Sequence, residues 1–162
     1  MSGTTELDPR ERPSRFPWPP VLLVTSLAGA WLLGEVYPLT WPGADDLPAH
    51  AVGLSFGIGG IVLLAWAALT LSRHDTTILP HEGASHLVTD GPYARFRNPI
   101  YLADVMIMFG IAEVTKNFWF AILALHFAVA VTKLAIIPEE RHLEAKFGQA
   151  WRDYAETTRR WI

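Results

Sequence analysis

Long apolar runs dominate the sequence, and they restrict the chain to folds that a membrane can hold. The run from Pro17 to Gly34 and the run from Ala49 to Ser72 contain no Asp, Glu, Lys or Arg. Each is long enough to cross the apolar core of a bilayer as a helix, which takes about 20 residues. Hydrophobic residues make up 51% of the chain and charged residues only 18%, which fits an integral membrane protein better than a soluble one.

Two further apolar runs follow one another closely. The third extends from Pro99 to Val114 and the fourth from Phe118 to Ile137, with only Thr115-Lys116-Asn117 between them. Such a short connection forces two helices into an antiparallel hairpin. The sequence therefore predicts a single membrane domain, an all-α integral membrane protein with four transmembrane helices, the last two in a tight hairpin. The predicted helices lie at about residues 18–36, 49–72, 99–114 and 118–137.

The distribution of Lys and Arg predicts how these helices are oriented. The tail, residues 1–16, contains three arginines, the loop between the first two helices contains no Lys or Arg, and five Lys or Arg follow Pro138. Cytoplasmic segments of membrane proteins are enriched in these residues. We therefore expect both termini and the loop 73–98 to be cytoplasmic in a multi-pass protein of the bacterial inner membrane. The proline-rich, charged tail is predicted to be flexible.

The segment after Pro138 has a different pattern. Leu143, Phe147, Trp151 and Tyr154 recur at the spacing of one helical face, with charged residues between them. We predict one interfacial amphipathic helix over residues 139–158, lying on the cytoplasmic membrane surface. Its charged side chains can then meet those of the loop 73–98.

Composition argues against several kinds of partner. The net charge of -3 does not favour nucleic acid. The chain has no cysteine, which rules out disulfides, thiolate catalysis and Cys-ligated metal. The spacing of His74, His81 and His86 matches no zinc pattern, so we expect no metal site. The sequence does not indicate the oligomeric state, because the small face of Gly53 and Gly57 suits a dimer as well as an internal contact.

A segment from Gly91 to Tyr101 combines turn-forming, basic and aromatic residues. Gly91-Pro92 predicts a turn. Asn98-Pro99 predicts a helix start, because Asn caps free N–H groups and Pro suits the first helical position. Arg95 and Arg97 then lie near the positive end of a helix, where a carboxylate or phosphate group is favoured. We expect a ligand-binding loop, although arginines are also common in cytoplasmic loops.

Several acidic or ionisable residues are candidates for chemistry at the same membrane surface. Glu139 and Glu140 begin the predicted surface helix, where they can hold a cation or simply stabilise the helix dipole by about 0.3–1 kcal/mol each. Asp104 and His126 lie within apolar runs, and ionisable residues in membrane segments are functional candidates. Asp104 suits a substrate site or a pair with a loop arginine, and His126 suits an interhelical hydrogen bond.

Two blocks of the sequence together resemble the superfamily of isoprenylcysteine carboxyl methyltransferases and phospholipid N-methyltransferases. The blocks are Gly91-Pro92-Tyr93 with Arg97-Asn98-Pro99-Ile100-Tyr101, and Glu139-Glu140-Arg141-His142-Leu143 with Phe147-Gly148 and Tyr154. The similarity covers roughly Thr76 to Ile162. Members of this superfamily are small integral membrane enzymes that use S-adenosylmethionine.

The resemblance implies methyl transfer from S-adenosylmethionine to a lipophilic acceptor, with a carboxylate, thiol or amine head group, at the cytoplasmic membrane interface. The cofactor-binding residues that it implies are Tyr93, Arg97, Asn98, Pro99, Tyr101, Glu139 and Glu140. We predict catalytic roles for Glu140, Arg97 and Asp104. Two positions depart from the family pattern, since Asn98 replaces a frequent His and Ala103 replaces a usual Gly. Because Asn is not a base near neutral pH, position 98 does not support a general base there.

The sequence leaves other functions open. The C-terminal region of the superfamily is also similar to that of membrane sterol reductases, so an NADPH-dependent membrane reductase is one alternative. A membrane interaction protein that keeps the fold without the chemistry is another. Arg160 and Trp161 resemble the family's terminal Arg-Trp, and we predict that they anchor the tail at the interface rather than close the site.

Overall fold

The computed structural model describes residues 17–40, 47–74 and 87–162. Its helices are α1 (Trp18–Val36), α2 (Leu47–Arg73), α3 (Pro99–Thr115), α4 (Trp119–Val131), α5 (Ile137–Phe147) and α6 (Gln149–Thr157), with a 3-10 turn at Gly91–Ala94 and a π-helical turn at Thr132–Ile136. This described part contains no β-strand, and its isolated bridges pair Thr40 with Asn117 and Phe96 with Arg159. The tail 1–16, His81 and His86 lie outside the described residues.

Among the described residues, three helical segments are long and apolar enough to cross a membrane, namely Trp18–Val36, Leu47–Arg73 and the continuous helix Trp119–Phe147. Large apolar side chains on the first two point outward, and Val24 and Ile58 are 64% and 61% exposed. Apolar side chains exposed along whole helices are suited to lipid contact. At 17 residues, α3 is about 25 Å long, and its crossing of the membrane stays a prediction.

The helices pack in the spatial order α1, α4, α3, α2, and α3 and α4 form the predicted tight hairpin. Buried side chains between them include Met108, Phe127 and Ile136, which are fully inaccessible. A second cluster, further towards the hairpin turn, joins Ala30 of α1 to Ala112 and Phe120. The core therefore centres on the hairpin, with α1 and α2 on its two sides.

Helices α2 and α3 approach closely at glycines. A Cβ atom on Gly110 would overlap the Cα atom of Gly57, and a Cβ atom on Gly60 would lie 2.9 Å from the carbonyl oxygen of Ala103. Backbone atoms at these positions cannot move aside as the end of a side chain can. The glycine face of α2 thus serves an internal helix contact in this chain.

We expect Gly110→Ala to lower the thermal unfolding midpoint of the detergent-solubilised protein by several degrees. The added methyl group must separate α2 from α3, and overpacking of this kind costs about 1–3 kcal/mol. Gly59→Ala is the matched control, because its Cβ would meet only the terminal carbon of Met106, at 3.2 Å. Equal midpoints for the two variants would contradict the tight contact at Gly110.

The fourth helix differs from the prediction, because it does not end at Pro138. It continues through the π-helical turn and α5 to Phe147. Proline lacks an N–H group, and its ring clashes with the carbonyl four residues earlier in a regular α-helix. In the preceding π turn the Ile137 N–H donates to Thr132, five residues earlier. This wider turn accommodates the proline without ending the helix.

The single helix predicted over residues 139–158 is instead two helices, α5 and α6. Gly148 separates them with φ 55° and ψ -120°, a conformation that glycine adopts far more readily than other residues. Trp151 and Tyr154 of α6 are buried, whereas α5 has no buried residue. The predicted apolar stripe therefore holds for α6 only, and the break lets α6 pack against the loop before α3.

Candidate functional site

The end of the chain pairs with the predicted ligand-binding loop. The Arg97 N–H donates to the Arg159 carbonyl at 2.8 Å, and the Arg159 N–H donates to the Arg95 carbonyl at 3.1 Å. These two bonds form a short parallel bridge. We call residues 158–161 the C-terminal strap. The strap lies across the loop at the start of α3.

Arg97 connects this loop to α5, α6 and the strap. Its Nε donates to Oε1 of Glu140 at 3.2 Å. Its Nη1 donates to the carbonyl of Ala155 at 2.6 Å and to the carbonyl of Thr158 at 3.0 Å. The side chain is only 13% exposed. Its guanidinium therefore fixes four segments of the chain to one another.

Both carboxylate oxygens of Glu140 are held by arginines. Arg160 donates from Nε to Oε1 at 3.0 Å and from Nη2 to Oε2 at 2.6 Å, while Arg97 donates to Oε1. The bonds to Glu140 raise the pKa of the Arg160 guanidinium above its ordinary value. A cleft of about 300 Å³ opens beside it. The residues lining this cleft are Arg97, Glu140, Glu144, Trp151, Arg152, Ala155, Glu156 and Arg160.

Glu139, although adjacent to Glu140 in sequence, has different surroundings. Consecutive helical residues point about 100° apart. No residue in the described part of the chain makes a hydrogen bond or ion pair with Glu139, and the charge that acts on it is that of Glu140. Burial, and then the charge of Glu139, raise the pKa of the Tyr93 phenol. The charges of Glu139 and Asp104 also act on the phenol of Tyr101. Two carboxylates and two phenols are thus electrostatically linked, without a described cation among them.

Tyr154 attaches α6 to the loop. Its hydroxyl donates to the carbonyl of Tyr93 at 2.8 Å. Burial raises the pKa of this phenol to about 12, so it keeps the proton that the bond requires. The hydroxyl of Thr158 donates to the Tyr154 carbonyl at 2.6 Å, which joins the strap to the same helix. The sequence pattern included Tyr154 but did not indicate this contact.

Asn98 and Pro99 lie at the start of α3, as the sequence predicts, but Asn98 does not cap it. Its side chain makes no capping bond, and its Nδ2 donates instead to the Arg160 carbonyl at 3.0 Å. Pro99 is fully buried. The cap prediction was therefore wrong, because the strap takes up the Asn98 side chain.

Arg160 and Trp161 were predicted to anchor the tail at the membrane surface, and the structure differs. Arg160 binds Glu140, and Trp161 donates from Nε1 to the Thr132 hydroxyl at 3.2 Å while packing on the buried core. Only the resemblance to a terminal Arg-Trp pointed to these residues. Their contacts hold the end of the chain against Glu140 and Thr132, and their closing of a cofactor site stays a prediction.

Two ionisable residues of the apolar runs lack the partners that the sequence suggested. No described residue forms an ion pair with Asp104, so the predicted alternative of a pair with a loop arginine is not present in this part of the chain. His126 is exposed, and no interhelical hydrogen bond to it occurs among the described residues. Asp104 thus belongs with the group around Glu139 and Tyr101, and His126 lies outside the site.

Comparison with known proteins agrees with the resemblance noted in the sequence. The family model for phospholipid methyltransferases matches residues 48–150, which include both sequence blocks except Tyr154. The nickel-cobalt-cadmium resistance protein NccN of Alcaligenes xylosoxydans xylosoxydans is 32% identical over 119 residues, or 70% of this chain. The chain spans about half, 51%, of that relative's length. No solved structure matches the chain.

The family match and the helices agree on the class of protein. Within the part of the chain that the structure describes, three helices can span a membrane, and the match extends from the start of α2 into α6. These findings indicate an integral membrane protein. The chain belongs to the phospholipid methyltransferase family.

Proposed function

We propose that this protein transfers a methyl group from S-adenosylmethionine to a lipophilic acceptor at the cytoplasmic face of the bacterial inner membrane. In this proposal four helices cross the membrane and both termini are cytoplasmic. The observation that carries it is the contrast between two adjacent acids. Glu140 accepts bonds from two arginines, whereas the charge of Glu139 acts on the phenols of Tyr93 and Tyr101 and has no described cation.

The side chains present fit S-adenosylmethionine. That cofactor has a cationic sulfonium, an amino group and a carboxylate. Glu139 would hold a cationic part through a charged contact, and the rings of Tyr93 and Tyr101 would add cation–π attraction. Arg97 and Arg160 would supply positive charge for the carboxylate. When bound, the cofactor supplies an electrophilic methyl group.

The protein's own residues would then position the reactants and exclude water. Methyl transfer is an in-line displacement, for which orientation and dehydration supply most of the acceleration. Arg97, by joining the loop, α5, α6 and the strap, would keep the site closed on one side. Because both oxygens of Glu140 accept bonds from arginines, we propose a positioning role for Glu140.

An acceptor amine would need to lose a proton, whereas a carboxylate or thiolate would not. Asp104 and Glu139 act on the Tyr101 phenol and are not neutralised by any described residue, so they are the candidates for taking up that proton. Asn98, which donates its amide to the strap, does not serve as the base.

The name of the relative NccN concerns metal resistance, and we do not transfer it to this chain. Among the residues that the structure describes, no group of three or more His, Asp or Glu is arranged to hold a metal ion.

The test is a calorimetric titration of the detergent-purified protein with S-adenosylhomocysteine, together with transfer of labelled methyl groups from S-adenosylmethionine to extracted membrane lipids. We expect binding in the micromolar range and label in the lipid fraction. NADPH in the same assays should neither bind nor be oxidised. A folded sample that binds NADPH, or that binds no adenosyl compound, would contradict the proposal and favour the reductase or the non-catalytic alternative.

A further inference from the structure

A second cavity lies at the other end of α2 and α3 from the loop and strap. It has a volume of about 590 Å³. Its lining residues are Pro48, Ala49, Val52, Gly53 and Phe56 of α2, with Phe109 and Glu113 of α3. Position 113 is separated from Pro99, at the start of α3, by about 21 Å along the helix axis. The cavity is therefore distinct from the proposed methyl-transfer site, and the inference does not rest on that function.

The walls of this cavity are apolar apart from one residue. The rings of Phe56 and Phe109 meet edge to face with centroids 6.4 Å apart. Glu113 is the charged residue of the lining, and its side chain is 7% exposed. A volume of a few hundred Å³ with apolar walls and few polar groups is typical of small-molecule sites. Such walls would hold an aliphatic chain.

The polar end of the cavity presents hydrogen-bond acceptors. Oε1 of Glu113 accepts a bond from Lys116 and lies 2.7 Å from Nδ1 of His50. Nζ of Lys116 also lies 3.2 Å from the same Nδ1. A carboxylate can only accept hydrogen bonds, and no described residue bonds to Oε2 of Glu113. A ligand with a hydrogen-bond donor suits this oxygen.

The charges at this end select a neutral ligand. The ammonium of Lys116 compensates the carboxylate of Glu113, so a bound ion would leave a net charge in an apolar cavity, which is costly. An anionic head group would also meet the carboxylate of Glu113. We propose that this cavity binds a lipophilic alcohol, with the hydroxyl group donating to Glu113 and the aliphatic chain lying between Phe56 and Phe109.

The test uses the absence of native cysteine. Val52→Cys places a single thiol in the cavity wall, and its rate of modification by N-ethylmaleimide is measured on the full-length protein in detergent. We expect 1-decanol to slow the modification at least about threefold, and decanoate and decylamine to slow it by less than half as much. Ile61→Cys is the matched control, because Ile61 is also on α2 and is 59% exposed, but does not line the cavity.

A second variant tests the polar end. Glu113→Gln in the Val52→Cys background replaces one acceptor by a donor, so the preference for decanol over decanoate should disappear while the protein elutes as a single folded species. If the double variant does not fold, the proposal is tested by comparing protection by decanol, decanoate and decylamine in the Val52→Cys variant. Equal protection by all three amphiphiles, or equal slowing at positions 52 and 61, would mean that the cavity is ordinary lipid-facing surface and would overturn the proposal.

Discussion

Replacing Arg97 with lysine should release the C-terminal strap from the loop. The guanidinium makes three hydrogen bonds, to Glu140, Ala155 and Thr158, in a site where it is only 13% exposed. A lysine keeps the charge but has a single nitrogen, which cannot reach a carboxylate and two carbonyls with the geometry of the fork. Because buried groups left without a partner cost about 1–3 kcal/mol each, we expect a loss of roughly 2–3 kcal/mol.

The release is measured by digestion of the detergent-solubilised protein with carboxypeptidase, and by its thermal unfolding midpoint. In the Arg97→Lys variant the last residues should be removed many times faster than in the unchanged protein, and the midpoint should fall by several degrees. Arg95→Lys is the matched control, because Arg95 is exposed and contributes only its backbone carbonyl to the bridge. If both variants resisted digestion equally, Arg97 would not be the group that holds the strap.

The parts of the fold that depend on local sequence were predicted well. The predicted helices at 18–36, 49–72 and 99–114 end within two residues of α1, α2 and α3. Apolar runs ended by turn residues determine these boundaries, because both signals lie within the segment itself. The hairpin follows in the same way from the short connection.

The end of the fourth helix was less predictable, because it depends on how two residues are accommodated. Pro138 normally marks a helix end, yet the π turn before it lets the helix continue. Gly148 lies inside an amphipathic pattern, and the pattern alone does not distinguish a tolerated glycine from one at positive φ. The same residues are compatible with one continuous helix or with two helices separated at Gly148, and the packing of α6 decides between them.

The site itself depends on contacts between residues far apart in sequence. The strap reaches the loop through bonds such as Asn98 to Arg160, which no local pattern indicates. The resemblance to a methyltransferase superfamily named Arg97, Glu139 and Glu140 as neighbours, and the structure brings Arg97 to Glu140. The resemblance could not show that Glu139 and Glu140 have different surroundings. That difference depends on which side of α5 faces Arg97 and Arg160.

Neutral substitutions of Glu139 and Glu140 should therefore have opposite effects. Glu140→Gln removes the charge between two guanidiniums, and we expect a loss of about 2–4 kcal/mol in stability and a lower unfolding midpoint, with cofactor affinity largely kept in the folded fraction. Glu139→Gln removes a charge that no described cation balances, so the midpoint should stay unchanged or rise. Its affinity for S-adenosylmethionine should fall about 10- to 100-fold, the value of a charged hydrogen bond.

Both effects are measured by calorimetry and thermal unfolding at one temperature and detergent concentration, with exposed Glu35→Gln on α1 as the control. Equal affinity in the Glu139→Gln variant and the control would remove Glu139 from the cofactor site. An unchanged midpoint in Glu140→Gln would mean that the charge of Glu140 contributes nothing to holding the strap that a neutral amide cannot replace.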